Sequence, residues 1–255
     1  MTRQESAARI ADLLLALRAA RDPEREPRNT LAILPELRRW QSERLEHGFS
    51  DLTRRPNYRA ASRFFLDDLY GEQDVSWRDR DISRMLPTLR SWLPESVLQT
   101  VVKALELDQL SHELDLSTAA AFAEHEPPGT RVDDATYAAA YRRGGTRRQR
   151  ERQIELLLHV GKELERIVRK PMVFAMLKFA RAPARAAGLG KLQGFLERGF
   201  SAFREMGSAD DFLEAIEDRE LELLRRLFAG HPAPFDVNAT TAEVGSRRRS
   251  TRRQA

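Results

Sequence analysis

The sequence predicts an all-α protein, on three observations. Apolar residues recur at intervals of three and four from Ile10 through Phe228, and strand-like alternation is absent. Ala, Leu, Arg and Glu, all strong helix formers, dominate, while β-branched residues are sparse. Proline and glycine mostly fall between the periodic runs, where they act as punctuation. The expected architecture is a single globular multi-helix bundle of about ten helices over residues 1–235. A disordered Arg-rich tail is expected over 236–255.

The elements follow in order. A first helix, about Gln4 to Arg21, aligns Ile10, Leu13, Leu14 and Leu17 and stops before Asp22-Pro23. A second, about Thr30 to Glu46, has Pro35 near its start and Gly48 at its close. The next follows Pro56 and ends at Gly71. Ser76 with Asp79 reads as a capping pair for a segment that Pro87 kinks or splits. Pro94 suits the first turn of a helix to about Ser111, and a short one near Ser117 to Glu124 ends at Pro127-Pro128-Gly129. Asp133 to Arg143 stops at Gly144-Gly145, and Thr146 opens what reads as the longest helix, to about Lys170. Pro171 to Arg181, Gly188 to Met206 and Ser208 to Phe228 complete the series. Ser208 with Asp211 forms a second expected capping box, and Gly230 is the last C-cap signal.

Composition bounds the function. A chain of 255 residues with 41% hydrophobic content buries a real core. The formal charge of +4 belongs to the tail: Gly245 to Ala255 holds five arginines and no acid, and without them the charge is −1. The absence of cysteine excludes disulfides, thiolate metal sites and cysteine nucleophiles. The longest apolar run, Pro171 to Leu177, is far short of the ~18–20 residues that span a bilayer. Glu5, Arg9 and Arg18 interrupt any signal-peptide core. A cytoplasmic location and no membrane partner are therefore expected.

Catalytic and metal motifs are few. Glu155, His159 and Glu163 have ligand spacing on one helix face, but share it with Lys162 and Arg166, so the face reads as solvated. His47, His112 and His125 read as lying at helix ends. No histidine has Glu three residues before it, which a di-iron bundle requires, so no metal ligands and no cofactor are assigned. Gly188 to Gly194 lacks the Gly-Lys-Ser/Thr ending of a phosphate loop. The basic turn Arg142 to Arg150, with Arg147 and Arg148 at its centre, and the tail arginines Arg247, Arg248 and Arg249 are the candidate phosphate contacts. They make weak, nonspecific nucleic-acid binding through the tail the third functional reading.

The residue that stands out is Asp68. In Phe64-Phe65-Leu66-Asp67-Asp68-Leu69-Tyr70-Gly71, a helical wheel sets Asp68 between Ala61, Phe64 and Phe65, and Asp67 beside Arg63. An acid aimed at a core needs a partner, either a structural one or a ligand shared with Tyr70 or Tyr58. The leading reading is a non-catalytic module that binds a protein partner or small ligand. A helical haem-oxygenase-like or di-iron enzyme is the alternative.

The stretch from Tyr58 to Gly71 resembles the signature of a family of uncharacterised proteobacterial helical proteins, approximately Phe-Phe-Leu-x-Asp-Leu-Tyr-Gly. Lys178 to Met206 and Asp211 to Phe235 are similar in style, so the resemblance covers about residues 5 to 235. It implies no activity. It sets Asp68 at the motif's aspartate and Asp67 at its variable position.

Asp68→Ala is expected to lower stability by about 3 kcal/mol through an unsatisfied donor and a lost charge-assisted bond. Asp67→Ala should cost under about 0.5 kcal/mol. Denaturant midpoints of the two variants check this, and equal midpoints would mean a rotated helix.

Overall fold

The structure, a computed structural model, describes residues 1–69 and 76–236; of residues 67–69, 76, 89 and 92 it describes the backbone alone. Among these residues the protein is helical throughout, with no strand. The α-helices are α1 (Arg3–Arg21), α2 (Ile33–Gly48), α3 (Ser50–Arg54), α4 (Pro56–Arg63), α5 (Ser76–Trp92) and α6 (Glu95–His125). They continue as α7 (Asp134–Arg143), α8 (Arg147–Val168), α9 (Pro171–Phe179), α10 (Arg181–Ala186), α11 (Gly190–Met206) and α12 (Asp210–Phe228). A 3₁₀ turn (Pro27–Thr30) precedes α2, and a π-helical turn (Phe64–Leu69) extends α4.

Local chemistry explains most boundaries. Thr2 and Glu5 close a reciprocal capping box on α1, and Thr146 with Gln149 does the same on α8. Gly230 leaves α12 at φ +68°, the left-handed conformation that glycine adopts without a Cβ clash.

The structure departs from the sequence-based expectation at α6, Asp79 and Ser208. α6 runs unbroken for 31 residues, so it, and not α8, is the longest helix. His112 to Leu116 contains no glycine or proline, and buried Leu114 and Leu116 carry the helix through a stretch whose polarity suggests a loop. Pro87 lies inside α5 without ending it. Asp79 is buried and turned to Arg21 and Arg78. Ser208 pairs with Asp210 at 3.0 Å, and α12 starts with Ala209 as its N-cap.

α6 is the spine. Its N-terminal half packs Leu98, Val102 and Leu105 against Ile10, Leu13, Leu14 and Leu17 of α1, the face that the sequence spacing predicts. Its C-terminal half meets Leu34 and Leu37 of α2 and Tyr137 of α7 through Leu116 and Ala119. The largest cluster joins α4, α8, α11 and α12, with Tyr58, Phe64, Ile154, Leu158, Phe200, Phe212 and Ile216 at its centre.

The C-terminus of α7 approaches α6 so closely that a Cβ on Gly144 would lie 2.5 Å from the Thr118 Cα. Backbone cannot yield there as a side chain can. Gly144→Ala is expected to lower stability by about 3 kcal/mol, the upper end of ordinary overpacking. Gly48→Ala, with nothing within 4 Å of the added carbon, should stay within about 0.5 kcal/mol of the parent. Urea midpoints measure both.

Candidate functional site

A cleft of about 470 Å³ opens between α2 and α12 and is closed at one end by Phe235 and Asp236. Successive turns of α2 place Trp40, Glu43, Arg44 and His47 along one wall, and α12 contributes Arg219, Glu220 and Leu223. Arg44 and Glu220 form a two-pronged ion pair at its floor, with Nη1–Oε1 3.2 Å and Nη2–Oε2 3.5 Å. Arg219 is committed elsewhere, gripping both oxygens of Asp51 at 2.7 and 2.8 Å and lying over the Phe49 ring.

The cleft is therefore divided chemically. Its cations are consumed by ion pairs. Its rim carries the carboxylates of Glu43, Asp134 and Asp236, which have no ion-pair partner among the described residues. Burial, together with the charges of Asp133 and Asp236, holds the Asp134 carboxyl above its ordinary value. Beside these acids stands an aromatic wall. Trp40 stacks on Tyr137 at 4.1 Å, and Phe235 meets the Trp40 ring edge-on at 5.0 Å.

A polar seam along α6 supports that wall. The Tyr137 hydroxyl accepts from Gln41 at 3.1 Å, Gln41 also donates to Asp115, and Asp115 accepts from Arg38 at 3.4 Å. Arg38 Nη2 lies 3.1 Å from His112 Nδ1, and His112 Nε2 lies 3.0 Å from the Ala20 carbonyl. A guanidinium only donates and a carbonyl only accepts, so His112 holds its proton on Nε2 and is neutral. Burial, reinforced by Arg38 and Arg21, pushes its pKa down, against the pull of the Ala20 carbonyl and Asp115. His112 is thus a buried mid-helix residue, which corrects its expected place at a helix end. Further along, Arg28 grips Glu113 with two bonds of 2.9 and 3.0 Å, and Asp108 accepts from Arg21 and Arg78 at 2.8 Å.

The residues singled out from sequence lie elsewhere. Tyr58 is a buried core residue, 5.4 Å from the Phe212 ring. The side chain of Asp68 lies outside the described residues, as do Tyr70 and the tail arginines Arg247, Arg248 and Arg249. Arg147 and Arg148 are exposed on the first turn of α8, and Arg147 pairs with Glu151 at 2.8 Å. Arg150, from the same basic turn, is buried: it donates to Thr118 at 2.7 Å and covers the Tyr141 ring at 3.9 Å. Among the described residues no group of three His, Asp or Glu side chains is placed to hold a metal ion. Sequence reasoning missed the cleft because Arg44 and Glu220 are 176 positions apart. The one local signal was Trp40 and Arg44 at a spacing of one helical turn.

A family model described as Domain of unknown function (DUF8198) matches residues 20–234, and the chain belongs to that family. No curated protein and no solved structure matches it.

His112 sets a pH dependence. Its folded pKa is lowered, so stability is full above the ordinary imidazole value of about 6.5 and declines as pH falls through that value toward the lowered one. Denaturant midpoints between about pH 8 and pH 5 should show this decline. The His112→Gln variant should lose that component of the slope, and an unchanged slope would remove His112 as its source.

Proposed function

We propose that this member of the family described as a domain of unknown function is a non-catalytic binding module. Its cleft between α2 and α12 takes a ligand that carries a cationic group beside an apolar or aromatic body. An organic amine, or a lysine or arginine side chain of a partner protein, has that chemistry. The observation that carries the reading is the pairing of three unpartnered rim carboxylates, Glu43, Asp134 and Asp236, with the Trp40–Phe235 edge. Carboxylates beside an aromatic surface favour a cation twice, by charge and through the ring faces. The Arg44–Glu220 pair supports selectivity. Glu220 neutralises the arginine at the floor through both terminal nitrogens, which weakens its call on an anion.

The nucleic-acid reading draws less support. Arg147 is engaged by Glu151, and Arg150 is buried. The cleft presents acids, which repel phosphate.

Phenethylamine and its anionic counterpart, phenylpropionate, test the proposal by Trp40 fluorescence and calorimetry. The amine should bind and the acid should not. The double variant Glu43→Gln, Asp134→Asn should weaken amine binding by about fivefold, roughly 1 kcal/mol. Its melting temperature should match the parent, since both side chains are unpaired. Equal response to the two probes, or an unaffected double variant, overturns the assignment.

A further inference from the structure

α9 exposes a face on which its sequence is apolar. This helix, Pro-Met-Val-Phe-Ala-Met-Leu-Lys-Phe, is apolar on nearly all sides, yet none of its residues is fully buried. One stripe, Val173, Phe174 and Leu177, packs against the largest core cluster. The opposite stripe, Met172, Ala175 and Phe179, follows the same three- and four-residue spacing and is exposed, with Met176 half-buried beside it. Phe179 is 81% exposed and Met172 58% exposed. A helix that is apolar all round is ordinarily covered on all sides, and among the described residues the outer stripe has no covering element.

The charge around the stripe identifies what covers it. From Lys170 to Lys191 the chain holds five cations and no acid. Glu197 neutralises Arg181 at 2.6 and 2.8 Å. Lys170, Lys178, Arg185 and Lys191 form no ion pair among the described residues, though Arg185 lies near enough to Glu197 to help hold its carboxyl pKa down. Arg204 adds a fifth such cation over Phe174 at 4.7 Å, beside a recess of about 440 Å³ that Arg169 also lines.

We propose that α9 and α10 dock on the surface of an anionic phospholipid bilayer, with Met172 and Phe179 entering the headgroup layer and the surrounding lysines and arginines meeting lipid phosphates. An interfacial helix needs this combination, a protruding apolar ridge rimmed by Lys and Arg. A second copy of the chain is disfavoured, because the same cations would face one another. A helical protein partner is met by a groove, whereas α9 presents a ridge. No helix of the described residues is long and apolar enough to cross a membrane, so the contact is peripheral. The proposal reverses the expectation of no membrane partner that composition suggests, and it stands independently of the α2/α12 cleft.

Vesicle co-sedimentation of the full chain tests it. Vesicles of phosphatidylcholine with about one-third phosphatidylserine should retain the protein, phosphatidylcholine alone should not, and raising salt from about 0.1 to about 0.5 M should release it. The variant Met172→Glu, Phe179→Glu should bind about tenfold more weakly at an unchanged melting temperature. The chain has no cysteine, so Ala175→Cys carries a single environment-sensitive fluorophore. Its emission should shift to the blue on anionic vesicles, and that of the same label at Glu155→Cys should not. Four results overturn the proposal. They are no binding to anionic vesicles, equal binding by the glutamate variant, loss of binding on replacing the five tail arginines by glutamine with the α9 label silent, or loss of self-association as the only effect of the glutamate variant.

Discussion

The constraint on which the rest of the structure depends is the polar stripe of α6. A 31-residue helix at the centre of a bundle carries Asp108, His112 and Asp115 on a face that other helices cover, with Glu113 exposed at its margin. Each needs a partner before burial is tolerable, since an unpaired buried carboxylate costs several kcal/mol. The partners are Arg21 at the end of α1, Arg28 in the 3₁₀ turn, Arg38 on α2 and Arg78 on α5. Removing one member of such a pair costs on the order of 3–5 kcal/mol when buried and nearer 0–1 kcal/mol when exposed. The seam therefore registers the N-terminal third of the chain against the spine. Exposed pairs such as Arg152–Glu155 do not.

Close approach does the equivalent work on the other side of α6. Gly144 brings the end of α7 onto the Thr118 backbone, and the Thr118 hydroxyl bonds both the Leu114 carbonyl at 2.6 Å and Arg150 at 2.7 Å. Arg150 then lies flat on Tyr141, joining α6, α7 and α8 at one point. Burial pushes the Tyr137 and Tyr141 phenols up in pKa, so both are neutral hydroxyls in this layer. Gly161 and Gly199 play similar parts under Leu213 and Phe64. With α7 and α12 held this way, Trp40 and Phe235 are brought together at the α2/α12 cleft.

The molecule is thus two-faced in charge. Arginines are consumed inside by the seam and at the cleft floor, which leaves acids at the cleft rim. Around α9 the opposite holds, with cations outnumbering acids beside exposed Met172 and Phe179. Near-neutral net charge in the helical body conceals this separation, because it comes from which arginines find partners and not from how many there are.

The sequence by itself determined the helices. Apolar spacing in α1 and α8, Thr146 at the opening of α8, and glycine at 230 are local properties, read within a few residues of one another. Only the tertiary structure decided what depends on distant pairs. The polar run from His112 to Leu116 became the middle of one helix because Arg28 of the 3₁₀ turn, Arg38 of α2 and the Ala20 carbonyl of α1 meet it. The Arg44–Glu220 floor and the Trp40–Phe235 wall join residues with no local relationship. The exposure of α9 is likewise a property of packing. Its composition reads as core, and it lies at the surface because the bundle closes over Val173, Phe174 and Leu177 and, among the described residues, provides no helix for the other side. Periodicity states which residues share a face; only the packed chain states what that face meets.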